Sequence, residues 1–565
     1  MKPRSTILLG QILVDNKIIT PEQLEIALKK QKETGDLLGI TLLKLGFVDE
    51  ENYVLPIVAN QMGVSYVTLN QMEISKEIIN KIPAKIAIYY KLIPIDLSDG
   101  VLTIATTKPL DINIIDGVSL VVSEKIRTVL ASEKEIIESI RTYYGVGAET
   151  IDEMMETAQI KPAHEKEEDI TEIDSEATIA KFLNQVFIEA YESRATDIHI
   201  EPYESELKIR YRIDGVLSDT QLPANINHFK DFINARIKIM SNLNIAEKRL
   251  PQDGRFKVKI GDINLDLRVS FLPTQFGESV VIRLLRSSSL YSLKDLGLSP
   301  DDLKRLDNLL TKPHGIIFVT GPTGSGKTTT LYACLSHINK SDNKIITIED
   351  PIEYQLKGIM QIQIHPEIGL TFARGLRSML RHDPDVMMVG EVRDIETART
   401  AIQIAMTGHL IFSTLHTNDA ASGVTRLIDM GIDPYLVTSS VECFIAQRLV
   451  RLLCPKCKAP GKFSEEIAKN FGLDIQIENN ITIYEGSSCK ACNFTGYHGR
   501  GGIYEFLILN DEIREMIMHR SSSTQIKNKA MALGMTTLLQ SGWEKVKQGL
   551  TSASEIIRVT KEDYK

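Results

Sequence analysis

Gly321, Gly326, Lys327 and Thr328 stand at the spacing G-x-x-x-x-G-K-[ST], inside the run Gly321-Pro322-Thr323-Gly324-Ser325-Gly326-Lys327-Thr328-Thr329. The apolar run "IIFVT" precedes it and a helix-compatible run follows, the context this motif requires. Glycines there let backbone N–H groups curl around phosphate oxygens, and the start of the helix adds a favourable dipole. Lys327 is expected to reach the β- and γ-phosphates of a nucleotide, and the Thr328 hydroxyl to ligate Mg²⁺.

Three later stretches narrow the chemistry. "KIITIEDPIEY" is an apolar strand running into Glu349, Asp350 and Glu353; "DVMMVGEVRD" is another, ending at Glu391; "GHLIFSTLHTN" is a third, bracketed by His409 and His416. In a parallel sheet, ligands gather at the carboxyl ends of the strands. Hydrolysis needs one carboxylate to orient or deprotonate water and another to hold Mg²⁺ or its waters. A second constellation lies downstream. Four of the six cysteines form two C-x-x-C pairs, Cys454/Cys457 and Cys489/Cys492. Two such pairs about thirty residues apart read as a closed, structural tetrahedral Zn²⁺ site. Arg448, Arg451, Lys456, Lys458 and Lys490 lie near them in sequence, which raises a rival reading, a zinc ribbon that touches nucleic acid.

The elements that must position these groups are legible. From about 290 to 450, apolar strands alternate with helices, which implies a largely parallel sheet. Residues 176 to 285 read as a helix, "ATIAKFLNQVFIEAYES", followed by alternating strands: "TDIHIEPY", "LKIRYRIDGVL", "RFKVKIGD", "INLDLRVSFLP" and "SVVIRLL". Residues 64 to 145 mix strands and helices. Residues 9 to 61 hold a weak repeat of paired helices, with Thr20 and Pro21 as a helix start. The acidic stretch 146–175 reads as a linker. A net charge of -9 and a pI near 5.8 weigh against a general nucleic-acid binder. No apolar run approaches the ~20 residues of a membrane span, and the amino-terminal run is too short for a signal peptide. A cytosolic protein is expected, where disulfides are rare.

"GPTGSGKTTT", "TIEDPIEY", "MMVGEVRD", "GHLIFSTLHTN" and "AQRLVRLLCPKC", with "DIHIEP", "RIDGVL", "IAEKRLPQDGRF" and "FLPTQFGESVVIRLL", resemble the secretion and assembly ATPases of bacterial type II secretion and type IV pili. The resemblance implies an α/β fold. A RecA-like P-loop core (287–565, with a tetracysteine zinc insertion at 450–500 and a helical C-terminal part) follows a PAS-like domain (176–286) and an α/β N-terminal module (1–145). It implies a homohexameric motor that hydrolyses ATP at the cytoplasmic face of the inner membrane, with a platform protein and a membrane-anchored adaptor as partners. It gives Glu353 as the general base with Glu349 as runner-up, Glu391 as the acid near Mg²⁺, and His409 and His416 as the histidine box. Arg268 and Arg283 match arginines directed at a neighbour's nucleotide. The tetracysteine insertion belongs to extension and secretion members. The repeat also resembles a cyclic-di-GMP-binding domain through Leu9, Gly10, Leu13, Leu24, Leu28 and Gln31, then Leu38, Gly39, Leu42, Gly46 and Gln61. Leu8 stands in place of that pattern's arginine and Lys17 in place of a glycine, so a docking role stays open beside the ligand. A nucleic-acid translocase and a non-hydrolysing scaffold are the alternative readings for the whole chain.

Overall fold

The computed structural model describes residues 55–145, 147–148, 150, 170–261, 263–285, 291–472 and 481–560, with short stretches before them at 13–14, 18–34, 41–42, 45 and 47. Leu9, Gly10, Leu38, Gly39 and Gly46 of the repeat's pattern, with Leu8 and Lys17, lie outside them, as does most of the acidic linker. The chain divides into two compact units, Met1–Leu284 and Leu285–Lys565.

In the first unit, α1 (Pro21–Thr34) begins as the sequence predicts. Gln23 N donates to Thr20 Oγ1 at 3.2 Å and Thr20 N to Gln23 Oε1 at 2.8 Å, a reciprocal cap that satisfies two otherwise orphaned donors. A three-stranded sheet follows, with β1 (Leu92–Ser98) antiparallel to β2 (Val101–Thr106) and β2 parallel to β3 (Lys125–Leu130). The long helix α2 (Ile170–Glu192) starts seven residues earlier than the run that begins at Ala177 suggests. It buries Phe182, Leu183, Val186, Phe187 and Ala190 in the core of a six-stranded sheet.

That sheet has the order β6-β5-β4-β9-β8-β7. Its strands are β4 (Ala195–Pro202), β5 (Leu207–Ile213), β6 (Val216–Asp219), β7 (Gln252–Ile260), β8 (Ile263–Thr274) and β9 (Gly277–Leu285). The run "LKIRYRIDGVL" makes two strands rather than one. Asp214 and Gly215 take φ of 49° and 89°, the left-handed pair of a tight hairpin turn.

The second unit is built on a seven-stranded sheet of order β12-β11-β13-β14-β10-β15-β18. The strands are β10 (Gly315–Thr320), β11 (Ile345–Glu349), β12 (Met360–Gln363), β13 (Val386–Val389), β14 (Leu410–Leu415), β15 (Val441–Leu453) and β18 (Tyr497–Ile508), with a small β16/β17 pair (Lys458–Pro460, Tyr484–Gly486) between the last two. All neighbours are parallel except β15 with β18. Strands β10, β11, β13 and β14 are buried throughout, which explains their unbroken apolar runs. Alternate residues serve two cores, Ile316 and Phe318 on one face, Ile317 and Val319 on the other. Phe318 stacks on its β15 partner Phe444 at 5.4 Å, worth about 0.5–1.5 kcal/mol beyond the area it buries. Pairing of β10 with β15 ends at Thr320 opposite Ala446, yet β15 runs on to Leu453. Four helices close the described chain: α3 (Asp511–Met518), α4 (Ser523–Ala532), α5 (Leu538–Lys547) and α6 (Ala553–Thr560).

Candidate active site

The loop 321–326 leaves β10 and opens the helix Lys327–Ile338. Gly321, Gly324 and Gly326 have φ of 150°, 80° and 89°. A Cβ on Gly321 would lie 2.6 Å from Gln447 O, and one on Gly326 2.8 Å from Gln447 Nε2. Strand β15 is therefore the wall against which the loop is pressed, and only glycine fits there. Thr330 Oγ1 donates to Gln447 Oε1 at 2.8 Å and fixes that wall.

The helix N-cap is Gly326, which supplies no side-chain acceptor. Other helices of this unit are capped by Ser299, Asp394 and Asp419 side chains. The first-turn N–H groups after Gly326 are thus left for an external anion. Thr320 Oγ1 and Ser325 Oγ are buried with no hydrogen-bond partner among the described residues. These features fit a nucleotide's phosphates. Lys327 is 9% exposed and its Nζ donates to Gly321 O at 2.8 Å and Pro322 O at 3.0 Å. Burial pushes its ammonium down to about 8; Glu391 opposes this and Arg448 adds to it. Thr328, half-buried, follows in the first turn.

The acids differ in their surroundings. Glu349, at the end of β11, is 3% exposed. It accepts hydrogen bonds from the Tyr332 hydroxyl, from Thr347 Oγ1 at 2.5 Å and from Gln361 Nε2 at 3.1 Å. Its oxygens are occupied by protein donors. Asp350 is exposed and Glu353 half-buried, both in the loop that follows. Glu391 lies just beyond β13. His416 Nε2 is 3.1 Å from its Oε2, and Arg393 forms an ion pair with Oε1. Burial opposes ionisation of Glu391, but the bonds to Arg393 and His416 prevail and hold its carboxyl below the usual range.

His409 and His416 occupy opposite ends of β14. His409 sits at the amino end, its Nδ1 3.2 Å from Ile404 O; only His416 meets Glu391. Sequence reasoning missed Arg393, Gln447 and Tyr332 as parts of this site. Arg393 stands two residues after Glu391, and Gln447 lies inside "AQRLVR", so the motifs contained them without marking their roles.

In the first unit, Arg268 on β8 and Arg283 on β9 alternate with buried neighbours and face away from the core. Arg283 Nε is 3.0 Å from Asp197 Oδ1, and Arg212 lies 3.9 Å from the other oxygen. Arg268 pairs in register with Arg255.

The four cysteines converge. Sγ–Sγ distances are 3.7 Å for Cys454/Cys489, 3.8 Å for Cys457/Cys492 and 3.6 Å for Cys489/Cys492, and all four lie within 4.8 Å of one another. A tetrahedron with Zn–S near ~2.3 Å requires S···S of about 3.8 Å. The N–H groups of Cys489 and Gly496 point at Cys492 Sγ at 3.4 and 3.2 Å, an arrangement that favours thiolate. Three of the basic residues nearby are engaged within the fold. Arg448 is 5% exposed. Arg451 bonds Glu555 at 2.8 Å and lies 4.0 Å over the Tyr497 ring, while Lys458 lies over Tyr484.

A glycine-lined phosphate loop at the carboxyl edge of a mostly parallel sheet, facing a carboxylate and an imidazole from adjacent strands, defines a RecA-like P-loop ATPase. Residues 172–558 match the family described as type II/IV secretion system protein, and residues 62–150 match the MshEN domain. The chain is 40% identical over 563 residues to the type IV pilus assembly ATPase PilB of Myxococcus xanthus, covering 98% of this chain and 99% of that one. It is 42% identical over 559 residues to the type II secretion system protein E of Xanthomonas campestris, with 98% of each covered. With the type II secretion system ATPase E of Vibrio cholerae it shares 44% over 431 residues, 76% of this chain and 84% of that one. The chain belongs to the type II/IV secretion system ATPase family.

Proposed function

We propose that this chain is a hexameric motor at the cytoplasmic face of the bacterial inner membrane, where ATP hydrolysis drives type IV pilus assembly or type II secretion through a platform protein and a membrane-anchored adaptor. The carrying observation is the phosphate loop set against Glu391 and His416, in a chain aligned end to end with a pilus assembly ATPase and a secretion protein E. The relatives reported give no support to the nucleic-acid translocase. No described helix is long and apolar enough to cross a membrane, in keeping with attachment through partners.

Lys327 and the loop glycines bind the phosphates. Thr328 and Glu391 hold Mg²⁺, which when bound neutralises phosphate charge. Glu353 acts as general base, because Glu349 is already enclosed by three donors. Arg268 and Arg283 serve a neighbouring subunit's nucleotide. Cys454, Cys457, Cys489 and Cys492 hold a structural Zn²⁺. The four-part organisation 1–145, 146–175, 176–286 and 287–565 assigns docking to the first part. Cyclic-di-GMP binding there is a second reading that rests on the MshEN match and the repeat; calorimetry showing no heat at high micromolar ligand removes it.

The test of the main reading is phosphate release by the purified full chain. Wild type turns over MgATP without DNA or RNA, and Lys327→Ala loses that turnover while keeping its melting temperature. Equal turnover by the two proteins would overturn it.

A further inference from the structure

Asp197 stands on β4, the strand between β5 and β9. Its register partners are Arg212 on one side and Arg283 on the other. Ile198 and Ile200 on the same strand lie in the core. Asp197 alternates with them and so belongs to the opposite face, yet it is only 7% exposed. A carboxylate so nearly buried needs partners of its own. Oδ1 accepts from Arg283 Nε at 3.0 Å, and Oδ2 from Thr196 Oγ1 at 2.7 Å. Arg212 Nε lies 3.9 Å from Oδ2. Arg212 is itself tied to the β5–β6 turn, its Nη1 donating to Gly215 O at 3.1 Å.

The bond to Arg283 differs from three other arginine–carboxylate pairs of this unit. Arg210 with Glu201, Arg249 with Glu247 and Arg255 with Asp266 each spend Nε and a terminal nitrogen on one carboxylate. The bond from Arg283 to Asp197 uses Nε alone, on a side chain that is 56% exposed. The two terminal nitrogens give a guanidinium its fork for phosphate, and they are not spent on Asp197. A long side chain already fixed at Nε also loses less freedom when it meets its ligand. Asp197 thus stiffens Arg283 and leaves its reactive edge open.

We propose that Asp197 is a positioning residue for hydrolysis in the neighbouring subunit, setting the aim of the Arg283 guanidinium by holding it at Nε. The inference rests on the reading above that directs Arg283 at a neighbour's nucleotide. It makes a carboxylate of β4 part of the working of a site that it does not touch.

The test uses the full-length, zinc-replete protein with Asp197→Asn, which keeps the shape and removes the charge. Arg283→Ala, Lys327→Ala and the Asp197→Asn/Arg283→Ala double variant stand beside it. Phosphate release is measured at high protein concentration for each chain and for pairs of chains mixed. Asp197→Asn should lower kcat about 10- to 100-fold, the cost of a misplaced group. In the Arg283→Ala background the same change should cost less than about twofold, because the group it acts through is gone. Asp197→Asn chains should regain turnover beside Lys327→Ala chains. Beside Arg283→Ala chains they should give no more than the average of the two. A merely structural role for Asp197 would instead lower turnover whether or not Arg283 is present.

Wild-type turnover by Asp197→Asn overturns the proposal. So does an equal loss with and without Arg283, or no recovery beside Lys327→Ala where Arg283→Ala chains do recover. If Asp197→Asn does not fold, Asp197→Glu, which keeps the charge but shifts it by one methylene, decides by the same measurements. Failure of the underlying reading looks different. Arg283→Ala then turns over like wild type, or fails to recover beside Lys327→Ala, and this proposal falls with it.

Discussion

Glu349 and Glu353 stand four residues apart in one acidic stretch, yet Glu349 is buried at the end of its strand and Glu353 half-buried in the loop beyond it. Glu349 is the acceptor for Tyr332, Thr347 and Gln361; removing it takes that acceptor from the Tyr332 and Thr347 hydroxyls, at about 1–3 kcal/mol for each, while Gln361 Nε2 keeps Tyr354 O at 3.2 Å. Glu349→Ala is therefore expected to lower the melting temperature markedly by calorimetry. Glu353→Gln keeps the fold, and its kcat should fall about 10²- to 10⁴-fold, the usual worth of a general base. A Glu353→Gln protein with wild-type turnover would remove Glu353 from that role.

At the scale of elements, strand β15 and the last helix act as one piece. Glu555 on α6 is fully buried and accepts from Arg451 and Arg558. Thr551 Oγ1 donates to Arg451 O at 2.7 Å, and Leu453 N to Leu550 O at 2.8 Å. Burial works against the Glu555 carboxylate, but Arg558 and Arg451 outweigh it and hold its pKa below the ordinary 4.5. A carboxylate depressed in the folded state stabilises fully above its unfolded pKa and loses that contribution as pH falls through the folded value. Stability should thus decline below about pH 4.3, and Glu555→Ala should flatten that limb while costing about 3–5 kcal/mol at neutral pH. Denaturant melts across pH 3 to 7 check both; an unchanged acid limb in Glu555→Ala would contradict the assignment.

The tetracysteine element has its own reporter. Trp543, the only tryptophan of the chain, is 6% exposed on α5, with Phe471 at 4.8 Å and Phe463 at 5.9 Å. Both phenylalanines come from the segment between the cysteine pairs. Stripping zinc with a chelator, or Cys454→Ser, should loosen that packing and shift Trp543 emission to the red. Metal analysis should give one zinc per chain for wild type, and emission unmoved by zinc loss would argue against a structural site.

For the whole molecule, the prediction concerns more than one copy. Arginines that stabilise phosphoryl transfer from a neighbour contribute roughly 10³- to 10⁵-fold in rate. Arg268→Ala and Lys327→Ala chains should each be inactive alone and regain turnover when mixed, since a mixed ring contains sites with an intact loop beside an intact arginine. No recovery at any mixing ratio would count against shared sites.

Much of this protein is written locally. The phosphate loop, the unbroken apolar strands, the Thr20–Gln23 helix start and the two C-x-x-C pairs depend on residues a few positions apart, so spacing alone announces them. Burial of a strand on both faces even betrays the parallel sheet. What only the tertiary structure decided is the company each group keeps. Tyr332 and Gln361 come from separate elements to enclose Glu349; β14 separates His409 from His416 by its own length; Arg448, basic in the sequence, is buried against Asn418; and Arg451 finds Glu555 across 104 positions. Donors, counter-charges and burial come from contacts distant in the chain, and those contacts set whether a carboxylate is a base or a brace.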